Sequence, residues 1–109
     1  DGIDASTTLD EIYLSKMIGE SQVLLDCEWN EPLSAFESDD WQDNDRQPVL
    51  YLRNHDAGAV LYLTLGHSRG QYDMRPLADY YPAVERGSWD TPEFYELLRR
   101  GIRWSLGAL

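Results

Sequence analysis

The stretch AVLYLTLGHSRGQYD, Ala59 to Asp73, passes from a nearly unbroken apolar run into Gly66 and then sets His67, Ser68, Arg69, Tyr72 and Asp73 close together. Apolar residues on both faces of Ala59–Leu65 predict a strand covered on two sides, and hence layers above and below it. A glycine that ends such a strand, followed by a histidine, puts the imidazole where α/β sheets place their functional groups, outside the carboxyl end of a strand. Imidazole exchanges a proton near neutrality, so His67 is the first candidate for acid–base work. The structural alternative is a strand-end histidine bonded to a neighbouring carbonyl.

Working outward, PVLYLRN (Pro48 to Asn54) alternates Val49, Tyr51 and Arg53 against Leu50 and Leu52, and VLLDCEW (Val23 to Trp29) is an apolar run passing into alternation. Both predict strands. Between Asn54 and Ala59 lies HDAG, whose Asp56 and Gly58 supply turn chemistry, so Pro48 to Leu65 is expected to be an antiparallel hairpin. TTLDEIYLS near the N-terminus reads as a short strand, with a helical turn over DEIYLSKMI as the alternative. Its adjacent carboxylates, Asp10 and Glu11, would then point to opposite faces, and one alone would reach a common pocket.

The last element is the most sharply bounded. Asp90 or Thr91 is positioned to cap a helix, Pro92 suits its first turn, and Phe94, Leu97, Leu98, Ile102 and Leu106 recur at spacings of three and four. A helix from about Pro92 to Leu106, stopped by Gly107, is expected. Two long segments lie outside these elements. Asn30 to Gln47 holds six carboxylates and one arginine and reads as a solvated loop, and Ser68 to Asp90 holds three tyrosines and a tryptophan and reads as packed against something.

Composition bounds the function. At 109 residues, 42% apolar, the chain suits one ordered domain at most. A formal charge of −11 repels phosphate backbones and anionic lipid, which argues against nucleic-acid and membrane partners. No apolar run nears the roughly 20 residues that span a bilayer, so a soluble protein is expected, in the cytoplasm or, as the alternative, the periplasm. The single cysteine, Cys27, excludes an internal disulfide; set in VLLDCEW without a glycine-flanked elbow, it reads as a strand residue rather than a nucleophile. DDWQDND (Asp39 to Asp45) lacks the central glycine and twelfth-position Glu of a calcium loop, and His55 and His67 are too few to define a zinc site. No metal is assigned, and the sequence names no cofactor.

Two segments together carry a resemblance. AGAVLYLTLGHSRGQYD with WDTPEFYELLRRGIRWSLG resembles the C-terminal half of the trehalose-utilisation, or ThuA-like, family, through Leu65-Gly66-His67 and then Pro92, Phe94, Leu97, Leu98, Gly101, Ile102, Trp104, Ser105 and Gly107. LDEIYL, at Asp10, Glu11, Ile12 and Tyr13, resembles the family's Asp-Glu-(Leu/Ile)-Tyr segment. The resemblance implies a flavodoxin-like fold, akin to that of class I glutamine amidotransferases: a mainly parallel sheet with helices on both faces, this chain supplying the C-terminal strands, a β-hairpin and the final helix. It implies that residues 1–109 are the second half of one domain, with an absent N-terminal half as partner, and that these residues alone would tend to self-associate through an open sheet flank.

The implied function is carbohydrate catabolism on trehalose or a related disaccharide or glycoside. His67 would be the general acid or base, with Glu11 a second acid/base or its orienting group. Asp10, Tyr13, Ser68, Arg69, Tyr72 and Asp73 would contact the sugar, and the loop Tyr80-Tyr81…Trp89 would close over it. The alternative is a carbohydrate-binding or scaffolding domain without chemistry. Glutaminase activity is not expected, because His67-Ser68-Arg69 lacks the Glu two residues after the His and Cys27 is in the wrong setting.

Overall fold

The computed structural model describes residues 2–29, 46–73, 75–76, 79–80 and 83–108. The acidic loop and its DDWQDND run lie outside the described residues, apart from Arg46 and Gln47. The chain divides into two compact units: a sheet unit, Tyr13–Thr64, and a second unit made of Asp1–Ile12 with Leu65–Leu109.

In the sheet unit three strands lie in sequence order: β1 (Gln22–Glu28), β2 (Arg46–His55) and β3 (Gly58–Leu63). β2 and β3 form the expected hairpin, paired from Leu50↔Leu63 to His55↔Gly58. Its two-residue turn places Asp56 at φ +50°, a left-handed conformation that Asp tolerates because its short polar side chain bonds locally. β1 pairs antiparallel with the other side of β2, with register irregularities between Val23 and Asp26. Pro48 sits beside that irregularity, opposite Asp26, where a missing N–H costs least. β2 begins two residues earlier than the alternation suggests, and Gln47, 1% exposed, accepts a hydrogen bond from the Ser15 N–H through Oε1 (3.3 Å).

The resemblance calls for a mainly parallel sheet, whereas all three described strands pair antiparallel. β3 is moreover an edge strand of this sheet, with Val60 and Tyr62 half exposed, rather than the doubly covered centre that its apolar run predicts. The Tyr62 ring stacks on Tyr51 across the ladder at 5.3 Å between centroids, so neighbouring rings on the same face do part of the covering.

In the second unit, α1 (Pro92–Ser105) follows a short 3₁₀ turn over Gly87–Asp90. The helix has its expected extent, but neither expected cap operates. The Thr91 hydroxyl donates to the Ser88 carbonyl (2.8 Å), and Asp90 accepts from Arg86 Nε (2.8 Å). At the C-terminus the Ala108 N–H bonds the Arg103 carbonyl and the Gly107 N–H bonds that of Trp104, with Gly107 at φ +66°, the pairing that closes a helix end through a left-handed residue. The inner stripe is Phe94 (2% exposed), Leu97, Leu98 and Trp104, while Ile102 and Leu106 are largely exposed. Measured round the helix from Phe94, Leu97, Leu98 and Trp104 fall between about −80° and +40°, whereas Ile102 at about +80° and Leu106 at about +120° lie beyond that stripe's edge.

Candidate functional site

The segment expected as a strand, TTLDEIYLS, joins no ladder. Its reason for order within the second unit is Asp10. The Asp10 carboxylate accepts the main-chain N–H of Gly66 (2.9 Å), of His67 (3.1 Å) and of Ser88 (3.2 Å), together with the Ser88 hydroxyl and its own neighbour's Glu11 N–H (2.8 Å). Burial alone would raise the Asp10 carboxyl, but these donors, Ser88 and Gly66 foremost, outweigh it and hold the group below its ordinary range. Asp10 therefore clasps the end of the Leu65–His67 segment to the 3₁₀ turn. Ser88 is fully buried there, its hydroxyl 3.1 Å from that of Thr8.

Gly87 makes the clasp geometrically feasible. Its φ is +53°, and a Cβ at this position would stand 2.5 Å from the His67 carbonyl oxygen and 3.3 Å from the Asp10 carboxylate. A side chain there would push the two halves of the clasp apart.

With His67 fixed by its own N–H, its ring meets Glu11: Nε2 is 2.9 Å from Glu11 Oε2. The same carboxylate oxygen accepts from Arg69 Nη2 at 3.0 Å, and Arg69 Nη1 reaches Glu85 at 3.2 Å. Arg69 and Glu85 also exchange main-chain hydrogen bonds (2.8 and 3.0 Å) as an antiparallel bridge, so the guanidinium is placed by backbone pairing before its side chain engages. These groups line a cavity of about 700 Å³ together with Thr7, Thr8, Arg86 and Asp90. Glu11 and Asp10 both reach it, contrary to the expectation of opposite faces, because the segment is not a pleated strand. Among the described residues, no three His, Cys, Asp or Glu side chains are arranged to hold a metal ion.

The structure thus brings His67, Glu11, Asp10 and Arg69 together. The other candidates stand elsewhere. Ser68 is exposed, and neither it nor Tyr72 nor Asp73 lines the cavity. Asp73 accepts the Gly70 N–H within its own turn, and Tyr72 packs against Tyr80 (6.1 Å, edge-on) beneath the Arg75 guanidinium. Tyr13 belongs to the sheet unit. The aromatic lid is not built as expected: Trp89 donates its indole N–H to the Gly66 carbonyl (2.9 Å) and meets Phe94 edge-on, Tyr80 bonds Gln71, and Tyr81 lies outside the described residues. Cys27 is a half-buried β1 residue whose thiol is pushed up by burial and then by Asp26, away from nucleophilic character.

Sequence reasoning missed Glu85, Arg86, Gly87 and Ser88 as site residues. The one available signal was the pair of charges beside Gly87-Ser88 in a segment otherwise read as loop. No family model, curated protein or solved structure matches this chain. Among the described residues no helix is long and apolar enough to cross a membrane.

Proposed function

We propose that the cavity of the second unit is an acid–base site for a carbohydrate substrate, with His67 as general acid–base and Glu11 as the carboxylate that orients it. The observation that carries this reading is the 2.9 Å contact between His67 Nε2 and Glu11 Oε2 inside a cavity. A carboxylate accepting the Nε2 proton fixes the ring's plane and stabilises the imidazolium formed when His67 takes a proton from a sugar hydroxyl. The deprotonated oxygen bonds the anomeric carbon as the glycosidic oxygen leaves that carbon and takes the proton back from His67, which completes the cycle. Arg69 holds Glu11 from its other side, and the hydroxyls of Thr7 and Thr8 suit a polyol. The resemblance to the ThuA-like family, with its flavodoxin-like fold and disaccharide substrates, supports the substrate class.

His67→Ala tests the reading: turnover of a disaccharide panel should vanish while the melting temperature stays nearly unchanged. Retained turnover with a large loss of stability would assign His67 to structure instead. One observation favours carbohydrate binding without chemistry, namely that the same Glu11 oxygen is engaged by both His67 and Arg69 and so is turned to the protein rather than to a ligand. Sugar binding that survives in a His67→Ala/Glu11→Gln double variant, with no turnover by the wild type, would establish that second reading.

A further inference from the structure

Four carboxylates line the cavity (Asp10, Glu11, Glu85 and Asp90) against two guanidiniums, Arg69 and Arg86. Both guanidiniums already face carboxylates: Arg69 meets Glu11 and Glu85, and Arg86 meets Asp90. An anionic ligand could recruit either only by competing with a protein carboxylate. The other means of holding an anion is a convergence of main-chain N–H groups. Such a convergence exists at Gly66, His67 and Ser88, and the Asp10 carboxylate occupies it with distances of 2.9 to 3.2 Å.

From these contacts we infer that the site takes an uncharged, hydroxyl-rich ligand and rejects its phosphorylated form, because the protein's own Asp10 fills a cradle of main-chain N–H groups that a phosphate would use. This rests on the carbohydrate reading above and narrows it. A phosphate monoester would meet the excess of lining carboxylates, and like charges brought together without counterions are strongly penalised. Neutral hydroxyls carry no such penalty and can share donors and acceptors with Thr7, Thr8 and the outer edges of the ion pairs.

The test is titration calorimetry of the full chain, at low and moderate salt, with trehalose, maltose and the phosphate monoester of each. The expected result is binding of a neutral disaccharide with its phosphate ester weaker by roughly tenfold or more, the gap narrowing as salt screens the lining charges. An ester binding as tightly as its parent sugar, or more so, overturns the inference while leaving the carbohydrate reading intact. Binding of none of the four overturns both. A second arm uses Asp10→Ala with sodium formate. Formate should raise the melting temperature of this variant and not of the wild type, since a free carboxylate would re-enter the vacated cradle. A variant that folds but ignores formate would overturn the assignment of Asp10 as resident anion. If the variant does not fold, the sugar comparison on the native chain decides alone.

Discussion

The sheet unit and the second unit are held together in different ways. In the sheet unit the order comes from many equivalent contacts: β2 is paired on both sides, and most of the ladder consists of main-chain bonds that any of several side chains would permit. In the second unit the parts around the cavity converge on one carboxylate, which gathers N–H groups from Gly66, His67 and Ser88. A distributed ladder tolerates single losses. A clasp built on one charged group does not, since removing the acceptor leaves several donors unsatisfied at once.

Four substitutions probe that contrast, in descending order of cost. Asp10→Ala should destabilise by about 4 kcal/mol, because several charge-assisted bonds are lost and buried Ser88 with half-buried Gly66 and His67 are left without their acceptor; urea unfolding measures it. Gly87→Ala should cost about 2 kcal/mol, through a left-handed backbone and a clash with the His67 carbonyl. Tyr62→Ala in the hairpin, which removes the stack on Tyr51, should cost about 1 kcal/mol. Val60→Thr, on the half-exposed face of β3, should stay within about 0.5 kcal/mol. A Tyr62 effect exceeding that of Asp10 would break the contrast.

Acid sharpens the same comparison. The folded-state Asp10 carboxyl lies below its ordinary value of 3.8, so its contribution is fully present above that pH and is lost as pH falls through the lower, folded value. Protection of the Gly66, His67 and Ser88 amides, taken relative to the intrinsic exchange rate at each pH, should therefore fall below about pH 3.8, ahead of protection at Tyr51 and Leu52 in β2. Simultaneous loss at both places would mean that the clasp does not govern the site.

The same contrast explains what could be read from the residues alone. The hairpin and α1 were legible because their signals are local: alternation around HDAG, and Pro92 to Gly107 as a bounded helical pattern. The proximity of His67 to the DEIY segment was expected through resemblance, and the contact to Glu11 is present. What periodicity could not show was the clasp, which joins residues 56 to 78 positions apart through hydrogen bonds to main-chain groups, for which sequence carries no pattern. For the same reason nothing in the sequence shows that the Asp10 oxygens are taken up by the protein rather than a substrate, or that the Trp89 indole is bonded to Gly66 rather than poised as a lid. The exposed side of β3 was also illegible, since an apolar run does not reveal how many neighbours it will have.

Nitrogen-15 spectroscopy of the His67 ring reads the His67–Glu11 pair itself. In the wild type the Nε2-bound proton should be shifted downfield and slow to exchange, and in Glu11→Gln it should be lost. An Nε2 proton that exchanges rapidly, and is unaffected by Glu11→Gln, would contradict it.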